Sequence, residues 1–353
     1  QHHILHTLRR EAGYYAGLIG LQHIAKDPHE IGYDHLETFP GDHVEQVAPA
    51  AVSFLRNRPK QPFWLEVGFF ETHRPYRKAT AQDDARYTRP PAPIPDVPPT
   101  RRDMADFHES LRKLDWGVGE VLAALEAEGL AENTLVISAT DHGIAFPDMK
   151  ANLYDAGTGV HLVMRGPGGF SGGKSCGALI SHIDLFPTVC DLLEIKYPDW
   201  LQGKSFLPVI RGEQREVNSE IFTELNYHAA YEPKRAVRTK RWKYIRHYLD
   251  YPHPVLPNCD DGPSKTYWVK HGWGSQTIAR EELFDLIFDP NERNNLAARP
   301  SHRPVLEEMR NKLQHWMEAS SDPLLAGPIK APRGARVNPP DQLSPHDPTV
   351  LIS

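Results

Sequence analysis

The chain has 353 residues, a formal net charge of −6 and 40% hydrophobic residues, enough for one large domain with a smaller one beside it. The acidic balance excludes the basic footprint of a nucleic-acid-binding protein, and no run approaches the roughly 20 apolar residues of a membrane helix. No signal peptide is visible at Gln1, and the three cysteines lack the spacing of a metal site. The sequence therefore leaves the compartment open.

The first part of the chain alternates helix and strand patterns, and the longest helical pattern ends at a glycine. The predicted elements are a helix over 3–13, a strand over 15–20, a helix over 47–56, a strand over 63–70, a helix over 103–128, strands over 135–139 and 160–164, and a helix over 183–193. This alternation predicts an α/β fold with a mostly parallel sheet and helices on both faces.

Polar side chains follow three of these predicted strands. His23 comes after the first strand, His73 after the second, and the Asp141-His142 pair after the third, with Lys150 in the next loop. Since the carboxyl ends of parallel strands share one edge of a sheet, we predict that these residues converge there. A lone histidine or a loop lysine is more often simply solvated. The prediction therefore rests on the repeated occurrence of polar residues after strand ends. Such a site suits an anionic, tetrahedral substrate.

The pattern changes after residue 212. Short strand candidates follow one another without long helices between them, at 221–225, 235–238, 242–248 and 283–285, and a helix is predicted over 303–317. We therefore predict a main domain over 1–212, a small C-terminal antiparallel α+β subdomain over 213–325, and a Pro-rich tail over 326–353.

A series of short motifs extends to about residue 325. Each motif alone is weak evidence for a family, but their fixed order is specific. They include Ala12-Gly13-Tyr14 with His23, Gly68-Phe69-Phe70-Glu71-Thr72-His73-Arg74-Pro75, Asp141-His142-Gly143, Phe146-Pro147 with Lys150, Asn152-Leu153-Tyr154, Asp184-Leu185 with Pro187-Thr188, and Glu282-Leu283-Phe284-Asp285-Leu286. This series resembles the sulfatases of the alkaline-phosphatase-like superfamily, most of all their heparan N-sulfatase (N-sulfoglucosamine sulfohydrolase) branch. The resemblance implies the α/β fold of that superfamily and hydrolysis of sulfate esters or sulfamates on sugars, or of aryl sulfates.

The resemblance also implies roles for the residues at the strand ends. Asp141 and His142 would be ligands of a divalent metal, calcium being the usual ion of the family, with His142 where many sulfatases have asparagine. His23 would be the catalytic histidine that transfers a proton near the nucleophile. His73 and Lys150 would hold the sulfate oxygens, and Lys150 would also stabilise the leaving group.

The resemblance implies two further substrate contacts, and the chain differs from the family pattern at several positions. His228 and Arg235 are expected to reach the substrate from the smaller domain. Sulfatases use a formylglycine made within a Cys/Ser-x-Pro-x-Arg motif, and none of the three cysteines lies in one. That motif and an upstream pair of metal-binding aspartates are expected to precede Gln1. In Gly20-Leu21-Gln22-His23, a leucine stands where the family has a lysine that contacts the nucleophile.

Two alternative functions stay open at this stage. One is a phosphomonoesterase or phosphodiesterase of the same superfamily, and the other is a non-catalytic relative that binds sulfated glycans, which the leucine at position 21 favours. We expect residues 1–353 alone to be inactive, with an open strand position beside 135–139 and too few ligands to hold a metal ion well. Members of the family that the chain resembles are often periplasmic, secreted or lysosomal.

Overall fold

The computed structural model describes residues 2–353, which form two compact units. The first unit contains residues up to 84 together with 105–138 and 163–218, and the second contains 85–104, 139–162 and 219–353. No helix within residues 2–353 combines the length and apolar character needed to cross a bilayer. The proposed domain boundaries at 212 and 325 stay predictions.

The helices and strands follow one another much as the sequence pattern predicts. In chain order the helices are α1 Ile4–Ala12, α2 Val44–Arg56, α3 Pro98–Ala127, α4 Asp155–Thr158, α5 Leu185–Leu192, α6 Leu207–Ile210, α7 Pro263–Lys270 and α8 Arg303–Ala319. The strands are β1 Tyr15–Gly20, β2 His35–Glu37, β3 Phe63–Gly68, β4 Val136–Ala139, β5 Leu162–Arg165, β6 Glu220–Tyr227, β7 Tyr231–Thr239, β8 Trp242–His247, β9 Glu281–Asp285, β10 Arg336–Val337 and β11 Val350–Leu351.

The first unit contains a three-stranded sheet of order β2-β1-β3, in which both pairings are parallel. The predicted parallel arrangement is therefore confirmed for these strands. Gly20 pairs with Gly68, so the carboxyl ends of β1 and β3 lie side by side. A core of side chains from β1, α2 and α3 packs beside this sheet: Ile19, Val47, Ala51, Phe54, Leu55, Ala124 and Leu125.

The strand that precedes Asp141 has a partner on one side. β5 is the only strand that pairs with β4 within residues 2–353, and the two form a separate two-stranded sheet. The backbone on the other side of β4 therefore has no strand partner in the described part of the chain. That a further strand of the protein fills this position stays a prediction.

The Asp184-Leu185 motif at the start of α5 contains a buried carboxylate. The Asp184 side chain accepts hydrogen bonds from the backbone of Ser181 and Lys204 and from the amide of Asn218, each at 2.8 Å. It joins three segments of the first unit that are distant in sequence. The predicted helix over 183–193 begins as a 3₁₀ turn at His182–Asp184 and becomes α-helical at Leu185.

The second unit contains the predicted antiparallel sheet, with strand order β6-β7-β8-β9. Helix α8 packs on it through a core made of Val237, Tyr244, Leu283, Leu306, Met309, Leu313 and Met317. The Pro-rich tail is anchored to the same unit, because Tyr227 Oη donates to Ile329 O at 2.8 Å and Asn338 N donates to Ala229 O at 2.9 Å. The predicted sheet and its helix are confirmed.

The close contact between the ends of β1 and β3 yields a stability prediction. A Cβ atom on Gly68 would lie 1.8 Å from the backbone oxygen of Leu21, which cannot move without disturbing both strands. We expect Gly68→Ala to lower the free energy of unfolding by about 1–3 kcal/mol, measured by urea denaturation. The matched control is Gly119→Ala in α3, where no atom lies within 4 Å. It should raise that free energy by about 0.5–1 kcal/mol, and equal effects of the two changes would contradict the packing argument.

Candidate active site

The Asp141-His142 pair lies in the loop after β4 with a defined imidazole orientation. His142 Nδ1 is 2.7 Å from the carbonyl oxygen of Gly143. Because a carbonyl oxygen only accepts hydrogen bonds, Nδ1 carries the proton, and Nε2 of the neutral ring keeps its lone pair. Nε2 lies 3.5 Å from Asp141 Oδ2. Two potential ligand atoms, one nitrogen and one oxygen, are therefore close together.

This geometry fits a divalent cation. Ligand atoms about 2.3–2.6 Å from one calcium ion lie roughly 3.3–3.7 Å apart when they meet at a right angle, and the observed 3.5 Å falls in that range. A metal-binding histidine typically donates its other ring N–H to a carbonyl or carboxylate, as His142 does. The Asp141 side chain is 78% exposed, so its carboxylate is open to an ion. Across residues 2–353 there is no group of three or more His, Cys, Asp or Glu side chains placed to hold a metal.

Two glycines allow the loop to fold tightly on itself. Gly143 N donates to Gly157 O at 2.8 Å, and a Cβ on Gly143 would lie 2.0 Å from the backbone oxygen of Ala156. A Cβ on Gly157 would lie 2.3 Å from the backbone oxygen of Met149. Gly143, whose carbonyl oxygen orients His142, therefore packs directly against the backbone of α4.

Helix α4 is in turn held by a buried cluster of charges. Asp155 Oδ1 is 2.9 Å from Lys243 Nζ, and Asp155 Oδ2 is 2.9 Å from Arg238 Nη2. Asp155 N donates to Glu292 Oε2 at 2.5 Å, and Lys243 Nζ lies 3.3 Å from Glu292 Oε1. Lys243 and Glu292 are almost fully buried. We call these four residues the Asp155 cluster.

The cluster shifts the pKa values of its two carboxyl groups in opposite directions. Burial raises the pKa of Asp155, but hydrogen bonds and positive charges from Arg238 and Lys243 outweigh that effect and lower the pKa to about 2. Burial raises the pKa of Glu292, and the nearby Lys243 only partly offsets this rise. Asp155 is therefore the carboxylate that binds the two cations most strongly.

Lys150 belongs to the same folded loop as His142. Its backbone N–H donates to Ile144 O at 3.1 Å, and its buried ammonium group donates to Asp260 Oδ2 at 2.9 Å. The ammonium group is thus held next to a carboxylate. Its predicted contact with sulfate stays a prediction.

His23 and His73 follow the neighbouring ends of β1 and β3 in the first unit. Leu21 N donates to Gly68 O at 2.8 Å, which holds the two chain exits together. The Gln22 amide accepts hydrogen bonds from Ile24 N and Ala25 N, so it closes a turn around the exposed His23. The two histidines therefore follow strands whose carboxyl ends are adjacent in one parallel sheet. Their convergence with Asp141, His142 and Lys150, which belong to the second unit, stays a prediction.

A buried glutamate organises the segment that carries His73. Glu71 accepts hydrogen bonds from His43 Nδ1 at 3.1 Å, from Val44 N at 3.0 Å and from Arg77 Nη2 at 2.8 Å. Burial raises the pKa of Glu71, but these hydrogen bonds outweigh that effect and the pKa lies below its usual value. The charged carboxylate also caps the N-terminus of α2, where negative charge is favourable.

The two predicted substrate contacts of the smaller domain differ in exposure. His228 is exposed in the turn between β6 and β7, and its substrate contact stays a prediction. Arg235 is fully buried, and its Nε and Nη2 atoms donate to Asp322 at 2.5 and 3.0 Å. Its Nη1 donates to the backbone oxygens of Leu225 and Lys234. Because these donors are used within the fold, the geometry does not support a substrate contact for Arg235 and indicates a structural role instead.

The residues that hold the site loop could not be identified from the sequence. In the sequence, Asp155, Arg238 and Lys243 are indistinguishable from ordinary surface charges, because Asp155 is more than 80 positions away from both of its cationic partners. Glu292 lies 137 positions from the backbone N–H of Asp155 that it binds. Only the folded structure brings these residues together.

The fold agrees with a family assignment from sequence. The profile of the family described as Sulfatase matches residues 4–195, more than half of the chain. The chain belongs to this sulfatase family. A second profile, described as N-sulphoglucosamine sulphohydrolase, C-terminal, matches residues 145–271. Members of the family generally use a metal ion and a formylglycine.

Individual relatives agree with this assignment. The chain is 27% identical to the N-sulphoglucosamine sulphohydrolase of Homo sapiens, over 92% of this chain and 75% of the human protein. It is 32% identical to an ulvan-active sulfatase of Formosa agariphila, over 68% of this chain and 42% of that enzyme. The chain thus spans less than half of the length of the second relative.

A solved structure supports the fold. It is described as a complex with the substrate D-glucosamine-2-N,6-O-disulfate, and it matches with a TM-score of 0.71 and 18% sequence identity. The match covers 91% of this chain and 83% of that chain. At this identity the match establishes the alkaline-phosphatase-like α/β architecture and nothing about the ligand.

The low pKa of Asp155 predicts a specific acid sensitivity. An aspartate with a folded-state pKa of about 2 and an unfolded value of about 3.9 stabilises the fold above pH 4, and this contribution is lost as the pH falls through 2. We expect Asp155→Asn to lower the free energy of unfolding by about 2–3 kcal/mol at pH 7. The difference from the wild type should shrink between pH 4 and pH 2, as measured by urea denaturation at each pH.

The control for this experiment is Asp250→Asn, which changes an exposed aspartate of the second unit. This change should alter the free energy of unfolding by no more than about 0.5 kcal/mol at any of these pH values. A pH-independent effect of Asp155→Asn would show that packing, not charge pairing, explains the loss.

Proposed function

We propose that this chain is part of a sulfatase that hydrolyses sulfate esters or sulfamates on sugars. The observation that carries the proposal is the pairing of His142 Nε2 with Asp141 Oδ2 at 3.5 Å, with the imidazole oriented by Gly143 O. The relatives named as sulfatases of N-sulphoglucosamine and ulvan support a sulfated sugar as the substrate class.

Asp141 and His142 would hold a divalent cation, for which we propose calcium. The bound ion would neutralise negative charge on the sulfate oxygens. Two ligands are too few for calcium, which takes six to eight. We propose that further ligands and the formylglycine nucleophile lie in sequence that the longer relatives have outside the matched region.

The remaining predicted residues would bind the substrate and transfer protons. His23, exposed beyond β1, would accept or donate a proton near the nucleophile. His73 donates from Nδ1 to Arg74 O at 2.6 Å, and Nε2 of its ring would contact a sulfate oxygen. Lys150 would stabilise the leaving group from its position beside Asp260. His228 would contact the sugar from the exposed turn between β6 and β7.

A second candidate function follows from Leu21. This residue stands where the family has a lysine that contacts the nucleophile, and its backbone is fixed against Gly68. A side chain without charge at that position weakens activation of the nucleophile. The second candidate is therefore a relative that binds sulfated glycans without hydrolysing them.

The test compares sulfate and phosphate release by the full-length protein from glucosamine 6-sulfate and glucosamine 6-phosphate. We expect cation-dependent sulfate release, and we expect Asp141→Ala to lower kcat/KM at least 100-fold because the ion loses its carboxylate ligand. The control Asp250→Ala, at an exposed site of the second unit, should change kcat/KM less than twofold.

Two other outcomes would contradict the proposal. A preference for the phosphate ester would indicate a phosphatase of the same superfamily. Binding of the sulfated sugar without release of sulfate, together with turnover gained in Leu21→Lys, would indicate the non-catalytic relative.

A further inference from the structure

A pocket beside His73 has residues that the proposed reaction does not use. It encloses about 430 Å³, within the range of about 300–1,000 Å³ that is typical of ligand pockets. The first turn of α2, the segment after β3 and helix α3 form its walls. The lining residues that matter here are His43, Glu45, Phe70, Glu71, His73 and Arg77.

One wall of the pocket is formed by three rings. The ring centroid of Phe70 lies 5.2 Å from that of His43 and 5.0 Å from that of His73. The Phe70 ring is inclined by 78° to the His43 ring and by 40° to the His73 ring, so the rings line this wall at different angles. The Phe70 ring and the ring edges offer apolar contact to the C–H groups of a pyranose ring.

The polar side of the pocket combines a donor with acceptors. Arg77 Nη2 donates to Glu45 Oε2 at 2.7 Å and to Glu71 Oε1 at 2.8 Å. The Glu71 side chain is 4% exposed, whereas those of Glu45 and Arg77 are 47% and 32% exposed. Glu71 therefore fixes the arrangement, and the side chains of Glu45 and Arg77 remain accessible from the pocket. Neighbouring sugar hydroxyls each donate and accept, so they match a carboxylate beside a guanidinium.

The charge of the pocket restricts the ligand further. Glu45 and Glu71 carry two negative charges against the single positive charge of Arg77. His43 Nδ1 hydrogen-bonds to the Glu71 carboxylate, and His73 Nδ1 hydrogen-bonds to the backbone oxygen of Arg74. A sulfate or carboxylate group placed against Glu45 would meet a like charge, which is unfavourable. The pocket therefore favours a group with hydroxyls and no charge.

We propose that this pocket binds an uncharged sugar unit adjacent to the sulfated unit of a glycan. The proposal rests on the proposed function for the sulfated unit, because His73 belongs both to the pocket and to the predicted sulfate contacts. The preferred substrate class is therefore a glycan whose sulfated unit is linked to a neutral, unsulfated sugar.

The first experiment measures binding and does not depend on turnover. The full-length protein is titrated with N-acetyllactosamine, a neutral disaccharide, and binding is followed by NMR. We expect Glu45→Gln to weaken binding at least fivefold, because an amide accepts fewer hydrogen bonds than a carboxylate. The control Glu120→Gln, at an exposed position of α3, should leave the affinity unchanged. Equal affinity in all three proteins, or binding to none of them, would overturn the proposal.

The second experiment measures specificity. Two disaccharides share one sulfated glucosamine unit and differ in whether the neighbouring sugar also carries a sulfate. We expect kcat/KM at least tenfold higher for the singly sulfated compound, and we expect Glu45→Gln to reduce this ratio at least threefold. A wild-type preference for the doubly sulfated compound would overturn the proposal. Absence of sulfate release from both compounds would contradict the proposed function, and the binding experiment would still decide whether the pocket takes a neutral sugar.

Discussion

The loop that carries Asp141, His142 and Lys150 depends on the Asp155 cluster. Lys243 and Glu292 are buried, and a buried charge is stable only when it is paired and hydrogen-bonded. Asp155 pairs with Lys243, and its backbone N–H donates to Oε2 of Glu292, while Oε1 of Glu292 lies 3.3 Å from the Lys243 ammonium group. Removing one member would leave its partners uncompensated. The cluster therefore holds α4 against the antiparallel sheet through charge pairing as well as through packing.

This constraint reaches the candidate metal site through backbone contacts. Gly157 in α4 accepts a hydrogen bond from Gly143, and the carbonyl of Gly143 orients the imidazole of His142. Since neither glycine has room for a Cβ, the loop cannot shift without breaking this arrangement. The first unit has a similar arrangement, in which the buried Glu71 accepts hydrogen bonds from the first backbone N–H of α2 and from Arg77. In both units a buried carboxylate from a distant segment fixes the start of a helix near functional residues.

The elements with a clear pattern could be predicted, and the long-range polar contacts could not. The strand over 15–20 was predicted to the residue, because its apolar run is buried almost throughout. The three-residue β2 is too short to give a pattern, and α7 lacks an apolar stripe. His23 and His73 could be singled out because they follow the predicted ends of β1 and β3. Arg235 was interpreted as a substrate contact, because nothing in the sequence reveals that Asp322 lies beside it.

The hydrogen bond between His142 Nδ1 and Gly143 O leaves Nε2 of the neutral ring for the proposed metal ion, and long-range ¹H–¹⁵N NMR of histidine-labelled, full-length protein measures which nitrogen carries the proton. We expect the neutral His142 ring to carry its proton on Nδ1. Addition of calcium should shift the Nε2 resonance, and Lys243→Met should reduce that tautomer preference while Lys270→Met, at an exposed position of α7, leaves it intact. A proton on Nε2, or an Nε2 resonance that calcium does not change, would contradict the account.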